Sequence, residues 1–274
     1  MFRRTGDIIV TSLDRGHLYS INADGATLYA VTGGGANGAA EGIDGSIYVA
    51  QNGGRGPGWK RPVSTGGIQV ARPDSFVEWI TADLVSPNDL CFGPDSLLYV
   101  TDPTRRLARD DGRIWRVDPL TKEAELLVST SWYPNGIGFS LERDALYVAS
   151  TGEGAIVRLP IGHSGLGKRE VVVRLKRGQP DGFAFDIEGN IIIAAIGDGQ
   201  IPGDIQVWNR EGKHLESFQP VANRYVTNVA LSSDNRLIVT NSDRGEVLEM
   251  KGWPYPGLEL FPFRSGPTIA ARIG

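Results

Sequence analysis

Apolar residues recur at every second position in short stretches along most of the chain, as in His17-Leu-Tyr-Ser-Ile, Thr27-Leu-Tyr-Ala-Val and Ile114-Trp-Arg-Val, and turn residues separate them. This period-2 alternation predicts β-strands. A longer rhythm lies over it. Asn37, Asn88, Asn135, Asp181 and Thr227 each head a short apolar run, at intervals of 51, 47, 46 and 46 residues. Each unit then continues into further strand-like segments, such as Glu125-Leu-Leu-Val after Ile114-Trp-Arg-Val. Four short strands in a repeat of this length predict a propeller blade, which buries its faces only by stacking against neighbours in a ring.

Residues 7–31 supply three strands with no inner strand before them. Complete units follow at about 36–86, 87–133, 134–179 and 180–225, and a last one begins near Val226. The expectation is an all-β, six-bladed β-propeller occupying residues 1–274 as one domain. The strand-like segment Pro267-Thr-Ile-Ala-Ala-Arg-Ile is expected to complete the first blade and close the ring.

Equivalent positions of a ring point at one axis, so the five polar heads are expected to converge although they are far apart in sequence. The loops Asn52–Gly67, Asp102–Gly112 and Gly197–Asp204 are then expected to rim the same face.

Composition narrows the chemistry. The chain has 274 residues, 41% of them hydrophobic, which is enough for a substantial core, and 36 glycines suit a fold made of turns. A net charge of −4 without a basic patch argues against nucleic acid and against an anionic membrane surface, and no apolar run is long enough to span a bilayer. Met1–Val10 passes straight into a strand with no signal-like apolar core, so a cytoplasmic protein is expected. Cys91 is the single cysteine, which excludes an internal disulfide, and its inner-strand position predicts a small core residue. His17, His163 and His214 have no Ser or Cys nucleophile beside them, so a hydrolase triad is not expected.

One Asp and several Asn amides at an axis form an oxygen cage, which suits a hard divalent cation able to polarise a carbonyl. Small polar residues also line wet propeller channels without any metal, and the repeat alone leaves both readings open.

The segments Ser86-Pro-Asn-Asp-Leu with Tyr99-Val-Thr-Asp-Pro, Tyr133-Pro-Asn-Gly-Ile-Gly-Phe-Ser, Gln179-Pro-Asp-Gly-Phe-Ala-Phe-Asp and Val226-Thr-Asn-Val-Ala resemble successive blades of a known family. It is the senescence marker protein (regucalcin), gluconolactonase and luciferin-regenerating enzyme family. The resemblance covers about residues 5–250 and implies metal-dependent hydrolysis of a small-molecule lactone. It implies metal binding by Asn135 and Asp181, with Asp181 also the general base, and places Asn88 at the metal site, reaching water or substrate. The metal, among Ca, Mg, Mn, Zn and Fe, stays open. Asn37, Trp59, Arg105, Arg106, Trp132 and Tyr133 lie on or beside mouth-facing segments and are expected to shape the substrate pocket.

The family's remaining ligand is a Glu on the inner strand of the first blade. Aligning Ile9 with Tyr99 puts that position about three residues before Met1. A longer gene product, or loss of the ligand, would explain this, and the sequence favours the former. Glu41, where other units carry Phe92, Phe139, Phe185 and Leu231, is costly to bury unless paired or ligating, which makes it a candidate substitute ligand. Two other readings share the fold: a non-catalytic propeller that binds a ligand or protein at the same face, and an enzyme resembling strictosidine synthase.

Overall fold

Ile47-Tyr-Val-Ala-Gln, Leu98-Tyr-Val-Thr-Asp, Ala145-Leu-Tyr-Val-Ala-Ser and Ile191-Ile-Ile-Ala-Ala-Ile are the most apolar runs of their units, and in the structure, a computed structural model, they are second strands buried on both faces. A strand covered by a blade on either side has no wet face, so its sequence runs apolar instead of alternating. The structure describes residues 1–54, 64–103, 112–162 and 165–260.

The strands form six antiparallel sheets arranged as the blades of a β-propeller. Blade 1 holds β1 (Ile8–Ser12), β2 (His17–Asn22) and β3 (Gly25–Val31), and blade 2 holds β4 (Ala36–Glu41), β5 (Ile47–Gln51), β6 (Gly67–Ala71) and β7 (Val77–Thr81). Blade 3 is β8 (Leu90–Phe92), β9 (Leu98–Asp102), β10 (Gly112–Val117) and β11 (Ala124–Thr130). Blade 4 is β12 (Pro134–Phe139), β13 (Ala145–Ser150), β14 (Ala155–Gly162), the short β15 (Gly165–Leu166) and β16 (Glu170–Arg174). Blade 5 is β17 (Gln179–Phe185), β18 (Ile191–Ile196), β19 (Asp204–Trp208) and β20 (His214–Phe218), and blade 6 is β21 (Val226–Leu231), β22 (Arg236–Asn241) and β23 (Glu246–Lys251). Among the described residues the one helical element is a single 3₁₀ turn, Thr151–Glu153, and no helix is long and apolar enough to cross a membrane.

One contact repeats around the ring. A Tyr of a second strand meets, edge to face, a Phe on the inner strand of the next blade: Tyr48 on Phe92, Tyr99 on Phe139 and Tyr147 on Phe185, with ring centroids 5.2, 5.1 and 5.2 Å apart. Such pairs contribute about 0.5–1.5 kcal/mol each beyond their buried area.

The first interface departs from this pattern. The bridge from Phe2 to Ile8, with Met1 exchanging both backbone hydrogen bonds with Ile9 at 2.9 Å, sets Met1 and Phe2 beside β1 where an inner strand would run. Register against β4 and β5, where Glu41 pairs with Ile47, sets Phe2 level with Glu41 and Met1 level with Ala40. The level of Asn37 therefore falls three residues ahead of Met1. Ile9 stands where other blades have Tyr, and Glu41 stands where they have Phe.

Glu41 is held as half of an ion pair. Arg3 Nε donates to its Oε1 at 3.0 Å and the backbone N–H of Arg4 to its Oε2 at 2.7 Å, with the two side chains only 15% and 7% exposed. The carboxylate is thus committed to blade 1, which removes the ground for a ligand role. Opposite, Arg236 of blade 6 lies over the Phe2 ring at 4.8 Å and donates to Gly6 O at 3.2 Å, so side chains join the last blade to the first. The expected closing strand at Pro267–Ile273 lies outside the described residues.

Because Glu41→Ala would leave Arg3 buried without its partner, it should lower the unfolding free energy by about 3 kcal/mol. Denaturant titration reads that loss, and calorimetry on the same variant should find divalent-cation affinity unchanged.

Candidate active site at the axial end of the inner strands

Hydrogen bonds across blades join the segments that carry four of the five polar heads. Asn37 Nδ2 donates to Asn88 Oδ1 at 3.1 Å, joining blades 2 and 3, and the N–H of Gly38 donates to Asn88 O at 2.8 Å. Asn88 N–H in turn donates to Thr101 O at 2.7 Å. Thr101 Oγ1 reaches blade 4, donating to Asn135 O at 2.7 Å. Asn135 Nδ2 donates to Thr151 Oγ1 at 3.1 Å, and that hydroxyl donates to Pro180 O at 2.8 Å, the carbonyl just before Asp181. The run of bonds from Asn37 to Pro180 links four blades.

Backbones approach closely along this line. A Cβ on Gly136 would come within 2.5 Å of Asp181 O and 2.9 Å of Gly182 Cα, so the heads of blades 4 and 5 touch with no room for a side chain between them. Gly38 against Asp89 and Gly182 against Asn228 are packed in the same way. Asn88 and Asn135 are buried, at 7% and 5% exposure, while Asn37, Asp181 and Thr227 are half-buried. Thr227 turns its hydroxyl to Thr240 Oγ1 at 3.0 Å, within its own blade.

These contacts assign different chemistry to the two Asn heads. Asn88 accepts through Oδ1, which leaves its Nδ2 to donate. Asn135 spends its Nδ2 on Thr151, which leaves its Oδ1 to accept or ligate. An amide oxygen at Asn135 and a carboxylate at Asp181, on inner strands whose backbones touch, are hard oxygen donors, and that chemistry fits a hard divalent cation completed by water or substrate. Among the described residues there is no group of three or more His, Cys, Asp or Glu that could hold a metal ion.

Of the other expected pocket residues, the structure describes Trp132 and Tyr133. Trp132, expected at the rim, is buried at 9% exposure, packs with Tyr99, Ile114 and Ile137, and lies under the Arg169 guanidinium at 5.2 Å. Tyr133 is half-buried, and its C=O accepts the Thr151 N–H at 3.1 Å. Trp59, Arg105 and Arg106 lie outside the described residues. Cys91 packs with Tyr99 and Ile137, and burial pushes its thiol up, which makes it a poor nucleophile.

Sequence reasoning missed Thr101, Thr151 and Asp89. The two threonines act on neighbouring blades, which a motif read within one repeat does not reveal. Asp89 follows Asn88 and accepts the N–H groups of Leu90, at 2.9 Å, and Ile137, tying blade 3 to blade 4. Asn228, level with it in blade 6, accepts Val229 N–H at 2.8 Å in the same fashion.

Residues 6–243 match the SMP-30/Gluconolactonase/LRE-like region. The chain belongs to that family. A gluconolactonase of Zymomonas mobilis is 28% identical over 207 residues, 66% of this chain and 53% of the relative. The adipocyte plasma membrane-associated protein of Rattus norvegicus is 32% identical over 109 residues, 40% of this chain and 28% of the relative. The chain thus spans between about a quarter and a half of the curated relatives it matches. Among solved structures, the calcium-binding protein regucalcin of Agrobacterium tumefaciens superposes with a TM-score of 0.76 at 20% identity, covering 96% of this chain and 92% of the other.

Burial pushes the Asp89 carboxyl up to about 6 from 3.8, against the two backbone N–H groups and the Met1 ammonium, which favour its charged form. A carboxyl raised on folding binds its proton more tightly in the native state, so its contribution to stability is present below about pH 4 and is lost as pH rises to about 6. Asp89→Asn should therefore gain stability relative to the parent across that window, by about 1–3 kcal/mol, and keep a constant difference above it. Unfolding free energies of both proteins from pH 4 to pH 8 check this.

Proposed function

We propose that this protein hydrolyses a small lactone at the axial end of its inner strands, using a divalent cation held by Asn135 and Asp181. The observation that carries the reading is the placement of Asn135, with its carbonyl end free of Thr151, against the strand of Asp181, with Asn88 one blade away. Membership of the family and the gluconolactonase relative support the same chemistry.

A bound divalent ion supplies Lewis acidity toward the lactone carbonyl. Asp181 takes one proton from the attacking water as the new carbon–oxygen bond forms. The ring carbon–oxygen bond then breaks, and the proton passes to the departing alkoxide, which gives the open hydroxy acid. Asn88 donates through Nδ2 to substrate or water, and Asn37, the head of the neighbouring blade, holds it in that orientation. Preorganised donors of this kind act where charge develops and need not reorganise during the reaction.

A ligand-binding propeller without catalysis is the second reading, favoured by the single carboxylate among the heads. Acid release from an aldonolactone decides between them. The hydrolytic reading expects activity that disappears with chelator, returns with calcium or manganese, and falls on the order of 10²-fold or more in Asp181→Asn. Chelator-insensitive hydrolysis sinks the metal mechanism, and lactone binding without turnover supports the second reading.

A further inference from the structure

We propose that Thr151 is a positioning residue, whose hydroxyl sets the side-chain amide of Asn135 so that Oδ1, and not Nδ2, is presented to a divalent cation shared with Asp181. This inference rests on the cation site proposed above and extends it to a residue outside the ligand set.

The argument begins with proton counting. A threonine hydroxyl has one proton to give and two lone pairs. Thr151 Oγ1 lies 2.8 Å from Pro180 O, and a carbonyl has no proton to offer, so the hydroxyl proton must lie between them. Its lone pairs then face Asn135 at 3.1 Å and take a donor. An Asn amide is nearly symmetric in shape, and only its hydrogen bonds decide which end points where. Turned the other way, Asn135 would set its carbonyl lone pairs against those of Thr151. The hydroxyl thus selects one orientation of the amide.

Thr151 is itself well fixed. Its N–H donates to Tyr133 O at 3.1 Å, so one residue bonds both the segment leading into Asn135 and the carbonyl before Asp181. It opens the 3₁₀ turn Thr151–Glu153, which Gly154 ends in the left-handed region at φ 63°. Glu153 anchors that turn from outside. Its carboxylate pairs with Arg169 and accepts from Ser150 Oγ at 2.9 Å, and its backbone carbonyl accepts from Arg174 Nη1 at 3.1 Å.

The experiment is calorimetric titration with calcium alone, and in parallel with manganese, so that no activity is needed. Thr151→Val should weaken binding about tenfold, the size of one misdirected ligand, whereas Thr151→Ser should match the parent. The decisive pair adds Asn135→Asp. A carboxylate presents oxygen at both ends and needs no orienting partner, so Thr151→Val should cost nothing in that background. An equal loss in both backgrounds, or loss in Thr151→Ser, would show that Thr151 merely supports the fold and overturns the proposal. Parent affinity in Thr151→Val overturns it while leaving the cation site standing. Absence of cation binding by the parent protein overturns both. If Thr151→Val melts too low to titrate, Thr151→Ala carries the same comparison.

Discussion

At three of the blades the inner strand lies so close to the next that the residue after the polar head has no space for a side chain. Gly38, Gly136 and Gly182 meet this limit by lacking a Cβ, and the clash a Cβ would cause is with backbone or a fixed polar group of the next blade. Backbone does not yield as a side-chain tip does, so the separation of the heads is set by the main chain. The limit also forces hydrogen bonds across blades, because polar groups brought this close and away from water must satisfy one another. The line of bonds from Asn37 to Pro180 follows from that necessity. An array whose spacing is set by backbone is already organised before any ligand arrives, which is the property a catalytic or cation site requires.

Charge is distributed sparingly within this frame. Glu41 is neutralised by Arg3 at the first interface, and Asp89 is bound to backbone donors under a burial penalty that raises its pKa. Asp181 is then the one carboxylate among the five heads at Asn37, Asn88, Asn135, Asp181 and Thr227. Cation affinity rises with the number and charge of oxygen ligands, and a neutral amide contributes only through the end that carries its oxygen. The hydrogen-bond partner of Asn135 therefore decides which end of that amide is available.

Much of this was legible in the sequence. The interval between heads defined the blades, and the loops Asn52–Gly67, Asp102–Gly112 and Gly197–Asp204 fall between the second and third strands of their blades as expected. Asn37, Asn88, Asn135 and Asp181 read as one ring because a repeat places equivalent residues equivalently. Two residues have contacts that the repeat does not reveal. Trp132 sits beside the Tyr133-Pro-Asn motif, which suggests pocket wall, and its ring belongs to the core cluster of Tyr99 and Ile137 with Arg169 over it. Glu41 occupies a Phe position and so looked like a displaced ligand, yet its partner Arg3 comes from another repeat. A periodic sequence shows what is common to its units and is silent about pairings between different levels of different units. Thr151 was invisible on the same ground, since its partners, Asn135 and Pro180, lie 16 residues before it and 29 after it.

The departures from the repeat are also where specificity can reside. The Tyr on Phe contact recurs at three interfaces and would serve any propeller of this family equally well. Superposition at a TM-score of 0.76 with 20% identity expresses the same thing, since a fold is retained when interface sizes and turn positions are retained. What the fold leaves free is the identity of each head and of the group behind it. Asn88 held through its oxygen and Asn135 held through its nitrogen are chemically opposite, one left as donor and the other as acceptor, although both are asparagines at the same position of their blades. The hydrogen-bond partner of each amide, the neighbouring head Asn37 for one and Thr151 for the other, makes that difference. In a ring of near-identical units, function is written in the second layer as much as in the first.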